Sequence, residues 1–318
     1  MIKLVYPEFW AENNWQSRVL IPFSWIYRFL GWLRYKFTKP IKFQAKVICV
    51  GNMSVGGTGK TQIVLWLAKK LTNHNFLIVT KGYGSTLSGA KLVSKDDDPA
   101  EVGDESIMLA EFATVIAATN VRAALPLIKQ QQPEIIIFDD GMQNPSFIKD
   151  TIILAIDAAR TVGNGLIFPA GPLRETSRAA ISKSDIIMLI GNIPCNNFAL
   201  INDIILSKKP FFKAGIKLIS ALEQQKTYYA FTAIGNPERF YQLLKDHNLT
   251  IAGEKSFPDH HNYTQKEIAE LQEHAKKHNY ILLTTRKDYV KLASKDYIMC
   301  VDVELDIENE QNLLGLLA

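Results

Sequence analysis

Short apolar runs recur along the chain, separated by polar and helical stretches. The runs are Lys46–Val50, Phe76–Thr80, Thr114–Ala118, Glu134–Phe138, Thr151–Ile156 and Asp185–Ile190. Each is nearly continuous in apolar residues instead of alternating with polar ones, the pattern of a strand buried on both faces. Between them, Thr61–Leu71, Glu105–Glu111 and Val121–Lys129 carry helical spacing. This alternation predicts an α/β fold: a mostly parallel sheet with helices on both faces. From about Asn192 to Lys226 the rhythm breaks at Pro194, Asn196, Asn197 and Lys208-Lys209-Pro210. A smaller alternation follows, with strands Tyr228–Thr232, Ile251–Phe257, Tyr280–Thr284 and Tyr297–Val303 and helices Pro237–Lys245 and Thr264–Lys277, then a last helix Ile307–Leu317. The expected organisation is an N-terminal segment (1–40), a larger α/β domain (41–200) and a second, smaller α/β domain (201–318).

The N-terminal segment has a different pattern. Four of the five tryptophans (Trp10, Trp15, Trp25 and Trp32) lie in it, interleaved with Arg18, Arg28, Arg34, Lys36 and Lys39. Its longest uncharged run between Arg18 and Lys39, Val19 to Tyr27, is nine residues, against about 20 for a membrane-spanning helix. Interleaved cations and aromatic rings suit a helix lying in the interface of an anionic membrane, here residues 16–39. A core-packed helix is the alternative, because Trp25, Phe29 and Trp32 also stand at helical spacing.

Composition narrows the classes. At 47% hydrophobic and 21% charged residues the chain is globular, not disordered or low-complexity. Residues 1–39 carry a net +4, which is the formal charge of the whole chain, so the remainder is neutral. A nucleic-acid-binding surface is therefore not expected, and no obligate protein partner is indicated. Cys49, Cys195 and Cys300 stand too far apart for a zinc site or a disulfide framework, which fits a reducing compartment. The first residues lack the apolar run of a signal peptide, so export is not expected.

Candidate chemistry begins after the first strand, at Gly51-Asn-Met-Ser-Val-Gly-Gly-Thr-Gly-Lys-Thr61. Ser54 takes the first glycine position of the phosphate-loop pattern, so the strict pattern fails by one residue; strand before and helix after are as required. Ser54, Val55, Gly56, Gly57, Thr58 and Gly59 would cradle phosphate oxygens with backbone N–H groups. Lys60 would neutralise the β/γ-phosphates and the Thr61 hydroxyl would hold Mg²⁺. Asp139 and Asp140, at the end of an apolar strand, supply carboxylates for the same cation. The guanine-reading pattern Asn/Thr-Lys-x-Asp fits Thr285-Arg286-Lys287-Asp288 only with its Lys one place late, which favours ATP.

Several further segments occur in order: Lys81-Gly-Tyr-Gly84, Val102-Gly-Asp-Glu105, Asp139-Asp-Gly-Met-Gln143, Gly163-Asn-Gly165, Pro169-Ala-Gly-Pro-Leu-Arg-Glu175, Gly235-Asn-Pro237 and Phe257-Pro-Asp-His260. With the phosphate loop, this set resembles the tetraacyldisaccharide 4'-kinase family of Gram-negative lipid A biosynthesis. The resemblance implies two α/β/α domains around a cleft. The implied reaction is γ-phosphate transfer from ATP to the 4'-hydroxyl of an acylated glucosamine disaccharide 1-phosphate, at the cytoplasmic face of the inner membrane. It implies Asp104 as general base paired with His260. Arg122 and Arg174 match basic positions of the family, as contacts to the γ-phosphate or the substrate 1-phosphate. Gln143 and Glu175 are expected near nucleotide or metal, and Glu105 is expected to assist Asp104 or touch substrate, or simply to open a helix. Three positions depart from the family pattern: Lys81 for Arg, Asn144 for His and Arg286 for Glu. A membrane-docked P-loop regulatory ATPase is the competing expectation; it would hydrolyse ATP to water and need no acceptor hydroxyl.

Overall fold

The structure, a computed structural model, describes residues 7–191 and 197–317. Lys3, Cys195 and the Pro194–Asn196 part of the expected junction lie outside the described residues.

The chain opens with helix α1 (Trp15–Phe37), followed by β1 (Lys46–Asn52), α2 (Lys60–Lys70), β2 (Phe76–Thr80), β3 (Ala90–Leu92), α3 (Pro99–Val102), α4 (Asp104–Ala110), β4 (Thr114–Ala118), α5 (Val121–Gln131), β5 (Ile135–Asp139) and β6 (Thr151–Asp157). Next come α6 (Ser177–Lys183), β7 (Ile186–Ile190), α7 (Phe198–Ser207) and β8 (Phe211–Leu218). The remainder is β9 (Thr227–Thr232), α8 (Pro237–Asp246), β10 (Thr250–Ser256), α9 (Gln265–His278), β11 (Ile281–Thr285), α10 (Arg286–Tyr289), β12 (Ile298–Val301), β13 (Val303–Ile307) and α11 (Glu310–Leu317).

Nine strands form one sheet in the order β13-β8-β7-β6-β1-β5-β2-β4-β3, parallel except for β13 and β3 at its edges. Successive residues of β1 face opposite cores: Ile48 and Val50 pack with Ile63, Trp66 and Leu67 of α2, while Val47 and Cys49 pack with Val121, Ala124 and Ile128 of α5. Burial on both faces explains why these strands read as unbroken apolar runs. The second sheet, β10-β9-β11-β12, is wholly parallel, with α8 on one face and α9 on the other.

The two sheets divide the chain differently from the expected break at 200. Strand β8 pairs with β7, and β13 pairs antiparallel with β8, so residues 201–218 and 303–317 complete the larger unit. The smaller sheet is confined to strands between Thr227 and Val301. The single strand expected at Tyr297–Val303 is two strands: the chain leaves one sheet at Val301 and enters the other at Val303, with only Asp302 between them. The last helix accordingly starts at Glu310, not Ile307.

Helix α1 stands apart from both cores. Only Ser17 and Ser24 are buried in it, and Trp15, Phe23, Trp25, Ile26, Phe29, Leu30, Trp32 and Phe37 are all more than half exposed. A core-packed helix is therefore excluded. Ser24 Oγ ties it to the larger unit, donating to the Ile167 carbonyl at 2.6 Å, and the Tyr27 and Phe168 rings meet edge to face. No helix among the described residues is long and apolar enough to cross a membrane.

Candidate active site

The carboxyl ends of the parallel strands carry the chemistry, as the topology of an open α/β sheet requires. The phosphate loop follows β1, and Asp139 ends the neighbouring β5, with Val50 and Asp139 in register. The loop is held from both sides. Asn52 Nδ2 donates to the Ser54 carbonyl at 2.7 Å and to Thr58 Oγ1 at 3.0 Å. From the Pro-Ala-Gly-Pro-Leu-Arg-Glu segment, Arg174 N–H donates to the Met53 carbonyl and the Pro172 carbonyl accepts from Val55 N–H. Gly59 opens α2 at φ +84°, and a Cβ there would lie 2.6 Å from Ile190 Cδ1, so only glycine fits. Ser54 has no such positive φ, which is why serine serves where the pattern asks for glycine.

Lys60 Nζ lies 3.9 Å from Asp140 Oδ1, and the Arg174 guanidinium grips both Asp140 oxygens at 2.6 and 3.2 Å. Gln143 bridges the loop and Glu175: its amide donates to the Asn52 carbonyl at 2.8 Å and to Glu175 Oε1 at 3.0 Å. Glu175 in turn pairs with Lys183. Burial opposes ionisation of Asp140, yet Lys60 and Arg174 hold its carboxyl well below the usual carboxylate range. Asp139 behaves oppositely. Burial, and then the like charge of Glu105, push its carboxyl up to about 7 against the pull of Lys60. Its Oδ1 is buried with no hydrogen-bond partner. A buried carboxylate oxygen without a partner, next to a second carboxylate, Asp140, is chemistry suited to a divalent cation. Among the described residues, no group of three or more His, Cys, Asp or Glu side chains is arranged to hold a metal by itself.

Asp104 is the first residue of α4. Gly103 before it takes φ +90°, and a Cβ there would approach Gly82 C and the Tyr83 carbonyl to 3.0 Å. That close approach packs the Lys81–Gly84 turn on the Gly103–Asp104 turn, and Tyr83 stacks obliquely on His260 with ring centroids 5.2 Å apart. His260 Nδ1 lies 3.0 and 3.2 Å from the two Asp104 carboxylate oxygens. The residues come from different lobes: Asp104 from the nine-stranded sheet's unit, His260 from the loop after β10. Burial alone would raise the Asp104 carboxyl, but the His260 hydrogen bond and the charges of Lys287 and Lys291 bring it down to about 2. Asp140 and His260 both adopt left-handed backbone, at φ +58° and +57°. Each such residue costs about 1–3 kcal/mol, and such strain clusters where geometry serves a site.

Arg122 does not join either group; it lines a cleft of about 590 Å³ with Arg34, Lys39, Lys81, Asn144 and Asp139. This cleft runs from the end of α1 to the Asp139–Asp140 pair. Lys81 thus places a cation there despite its departure from the family residue, whereas the Asn144 carboxamide is engaged by Ser146. Arg286 pairs with Asp302 and reaches Glu111, the residue after α4, across the lobe boundary. Sequence reasoning missed three contributors. Asn52 braces the phosphate loop. Arg160 donates to the Gly235 carbonyl while its Nη1 would lie 3.7 Å from a Cβ at Gly56. Lys287 lies 3.1 Å from Glu105 and 3.2 Å from His260. The usable signal was position: Asn52 ends its strand, and Arg160 lies just past the end of β6, both at the ligand edge of the sheet.

A phosphate loop opening a helix, paired acidic residues beside it and a carboxylate–imidazole pair joining the two units define a P-loop phosphotransferase. A family model described as tetraacyldisaccharide-1-P 4'-kinase, LpxK, matches residues 16–318. The chain belongs to this family. It is 50% identical over 321 residues to the tetraacyldisaccharide 4'-kinase of Rickettsia bellii, covering 99% of this chain and 98% of that one. It is 48% identical over 319 residues to the Rickettsia canadensis enzyme, covering 99% and 97%. Among solved structures, LpxK from Aquifex aeolicus, described as an "apo" form in complex with ATP, superposes with a TM-score of 0.76 at 26% identity, covering 95% of this chain and 98% of that one. The competing expectation of a regulatory ATPase finds no support in these matches.

Proposed function

We propose that the protein transfers the γ-phosphate of ATP to the 4'-hydroxyl of a tetraacylated glucosamine disaccharide 1-phosphate, as a peripheral enzyme of the cytoplasmic face of the inner membrane. The observation that carries the mechanism is the Asp104–His260 contact, which joins the phosphate loop's own unit to the smaller one. Ser54 to Gly59 supply N–H groups to the phosphates, and Lys60 and Thr61 follow on α2. Thr61, Asp139 and Asp140 would hold Mg²⁺, which would neutralise charge on the β- and γ-phosphates. Arg174 and Glu175, bridged by Gln143, keep Asp140 and the loop in place. Arg122 faces the cleft where an anionic headgroup would lie.

In the transfer, the 4'-oxygen forms a bond to phosphorus as the bond from phosphorus to the β-phosphate oxygen breaks. The hydroxyl proton passes to Asp104, and ADP leaves. A carboxylate held near 2 is ionised at any physiological pH but is a weak base, so it accepts the proton late, when the forming P–O bond has acidified the hydroxyl. His260 orients it. The test is to supply γ-labelled ATP, Mg²⁺ and tetraacyldisaccharide 1-phosphate in mixed micelles. Label extracted with the lipid supports the transfer; label found only as free phosphate opposes it.

Asp139 gives the cation requirement a pH dependence. A ligating carboxylate must be ionised, and Asp139 is raised to about 7. Apparent Mg²⁺ affinity is therefore expected to fall below about pH 7, by up to about tenfold per unit, and to level off above it. Mg²⁺ titrations of turnover at several pH values read this directly; equal affinity on both sides of neutrality would remove Asp139 from the ligand set.

Helix α1 supplies the membrane contact. Its exposed rings suit the headgroup layer, and each basic residue near an anionic surface contributes about 1 kcal/mol. Vesicles containing anionic lipid are expected to float the protein. Replacing Arg28 and Lys36 by Glu should weaken binding at least about fivefold per residue. Undiminished flotation of a Trp25→Asp, Trp32→Asp variant would show that α1 is not the anchor.

A further inference from the structure

We propose that Lys287 is a positioning residue for the Asp104–His260 pair: its ammonium donates to His260 Nε2 and so holds the imidazole as the neutral tautomer with its proton on Nδ1, facing Asp104. The inference rests on Asp104 and His260 being the reacting pair.

Lys287 lies on α10, partly buried at the junction of the two units. Its Nζ is 3.2 Å from His260 Nε2, 3.1 Å from Glu105 Oε1 and 3.7 Å from Asp259 Oδ1. An ammonium has three N–H donors and no lone pair, so a ring nitrogen in hydrogen-bond contact with it must accept. A neutral imidazole carries one proton, which then resides on Nδ1, the nitrogen 3.0 Å from Asp104. Two of the ammonium protons are thereby matched to an imidazole nitrogen and the Glu105 carboxylate, and Asp259 adds an ion pair at 3.7 Å. Burial works against the charge on Lys287, but Glu105, Asp104 and Asp259 keep it above its ordinary value.

The groups facing His260 come from every neighbouring element. Asp104 and Glu105 belong to α4, Lys287 to α10, Asp259 to His260's own loop, and Tyr83 to the turn after β2. Lys291 faces Asp104, 3.8 Å away. The two nearest carboxylates, Asp104 and Asp259, would favour an imidazolium. The ammonium opposes it, because a proton on Nε2 would set two cations 3.2 Å apart. A neutral ring donates one hydrogen bond to Asp104. An imidazolium would bind the carboxylate more tightly than a neutral ring and make it a weaker acceptor for the hydroxyl proton. Lys287 therefore keeps Asp104 able to take the proton, without touching the substrate.

The test is ¹⁵N NMR of the full chain labelled in histidine, with His260 assigned through His260→Gln. At pH near neutral the wild-type ring is expected to show a protonated Nδ1 and an unprotonated Nε2. In Lys287→Met, both nitrogens should carry protons, kcat should fall about tenfold or more with the KM for ATP little changed, and activity should recover partly towards alkaline pH. A wild-type ring protonated on Nε2 or on both nitrogens overturns the proposal. So does a Lys287→Met spectrum identical to wild type. The wild-type spectrum needs no variant, so a misfolded Lys287→Met protein does not block the answer. Normal turnover of Asp104→Asn would instead overturn the base assignment itself, leaving the Lys287–His260 hydrogen bond as observed.

Discussion

Asp104→Asn is expected to lower kcat about 10²–10⁴-fold, with the KM for ATP changed by no more than a factor of about two. Asparagine preserves the volume and can still accept from His260 through its amide oxygen, so the loss falls on proton acceptance alone. Packing should survive because the buried cations near Asp104 keep other partners: Lys291 pairs with Asp288 at 2.8 Å and Lys287 with Glu105 at 3.1 Å. The stability cost should stay on the order of 1 kcal/mol. The sign of the pH effect follows from the lowered carboxyl. Asp104 stays ionised down to about pH 2, so it contributes no acid limb to the rate profile in the range where the fold is stable. Steady-state kinetics of the variant decide this, and turnover within a few fold of wild type would remove Asp104 as the base.

Lys60→Ala is expected to reduce kcat/KM roughly 10²–10³-fold, the effect of deleting one preorganised donor to a transferring phosphoryl group. The lysine is largely buried at the first position of α2, next to a Gly59 whose backbone no other residue can adopt without strain. Its loss does not free Asp140, because Arg174 still holds both oxygens. The deficit should therefore appear in phosphate binding and transfer. Calorimetry with ATP and single-turnover rates separate those two; a variant within about tenfold of wild type in both would place the nucleotide elsewhere.

Much of the larger sheet was legible because strands buried on both faces leave unbroken Val/Ile runs. Strand β8 was not. Its residues alternate exposed and buried, and Lys208-Lys209-Pro210 before it mimics a linker. Strand β13 pairs with β8 from the far end of the chain, a contact that no local pattern encodes. Local motifs similarly revealed the phosphate loop and the Asp139–Asp140 pair, since one turn of chain carries each. Lys287 escaped because its partners are 27 and 182 residues away, and nothing local in Thr285-Arg286-Lys287-Asp288 points to them. The helix α1 pattern favours the membrane reading but leaves a core helix as its alternative; exposure of its rings, a tertiary property, excludes the core.

The position of the transferred phosphate tests the central claim most directly. After reaction with ATP and Mg²⁺, a ³¹P–¹H correlation spectrum of the extracted tetraacyldisaccharide should show a new phosphate coupled to the proton at the 4' carbon, with the 1-phosphate unchanged. A phosphate on any other hydroxyl, or ATP converted to ADP with the lipid unaltered, would contradict the account.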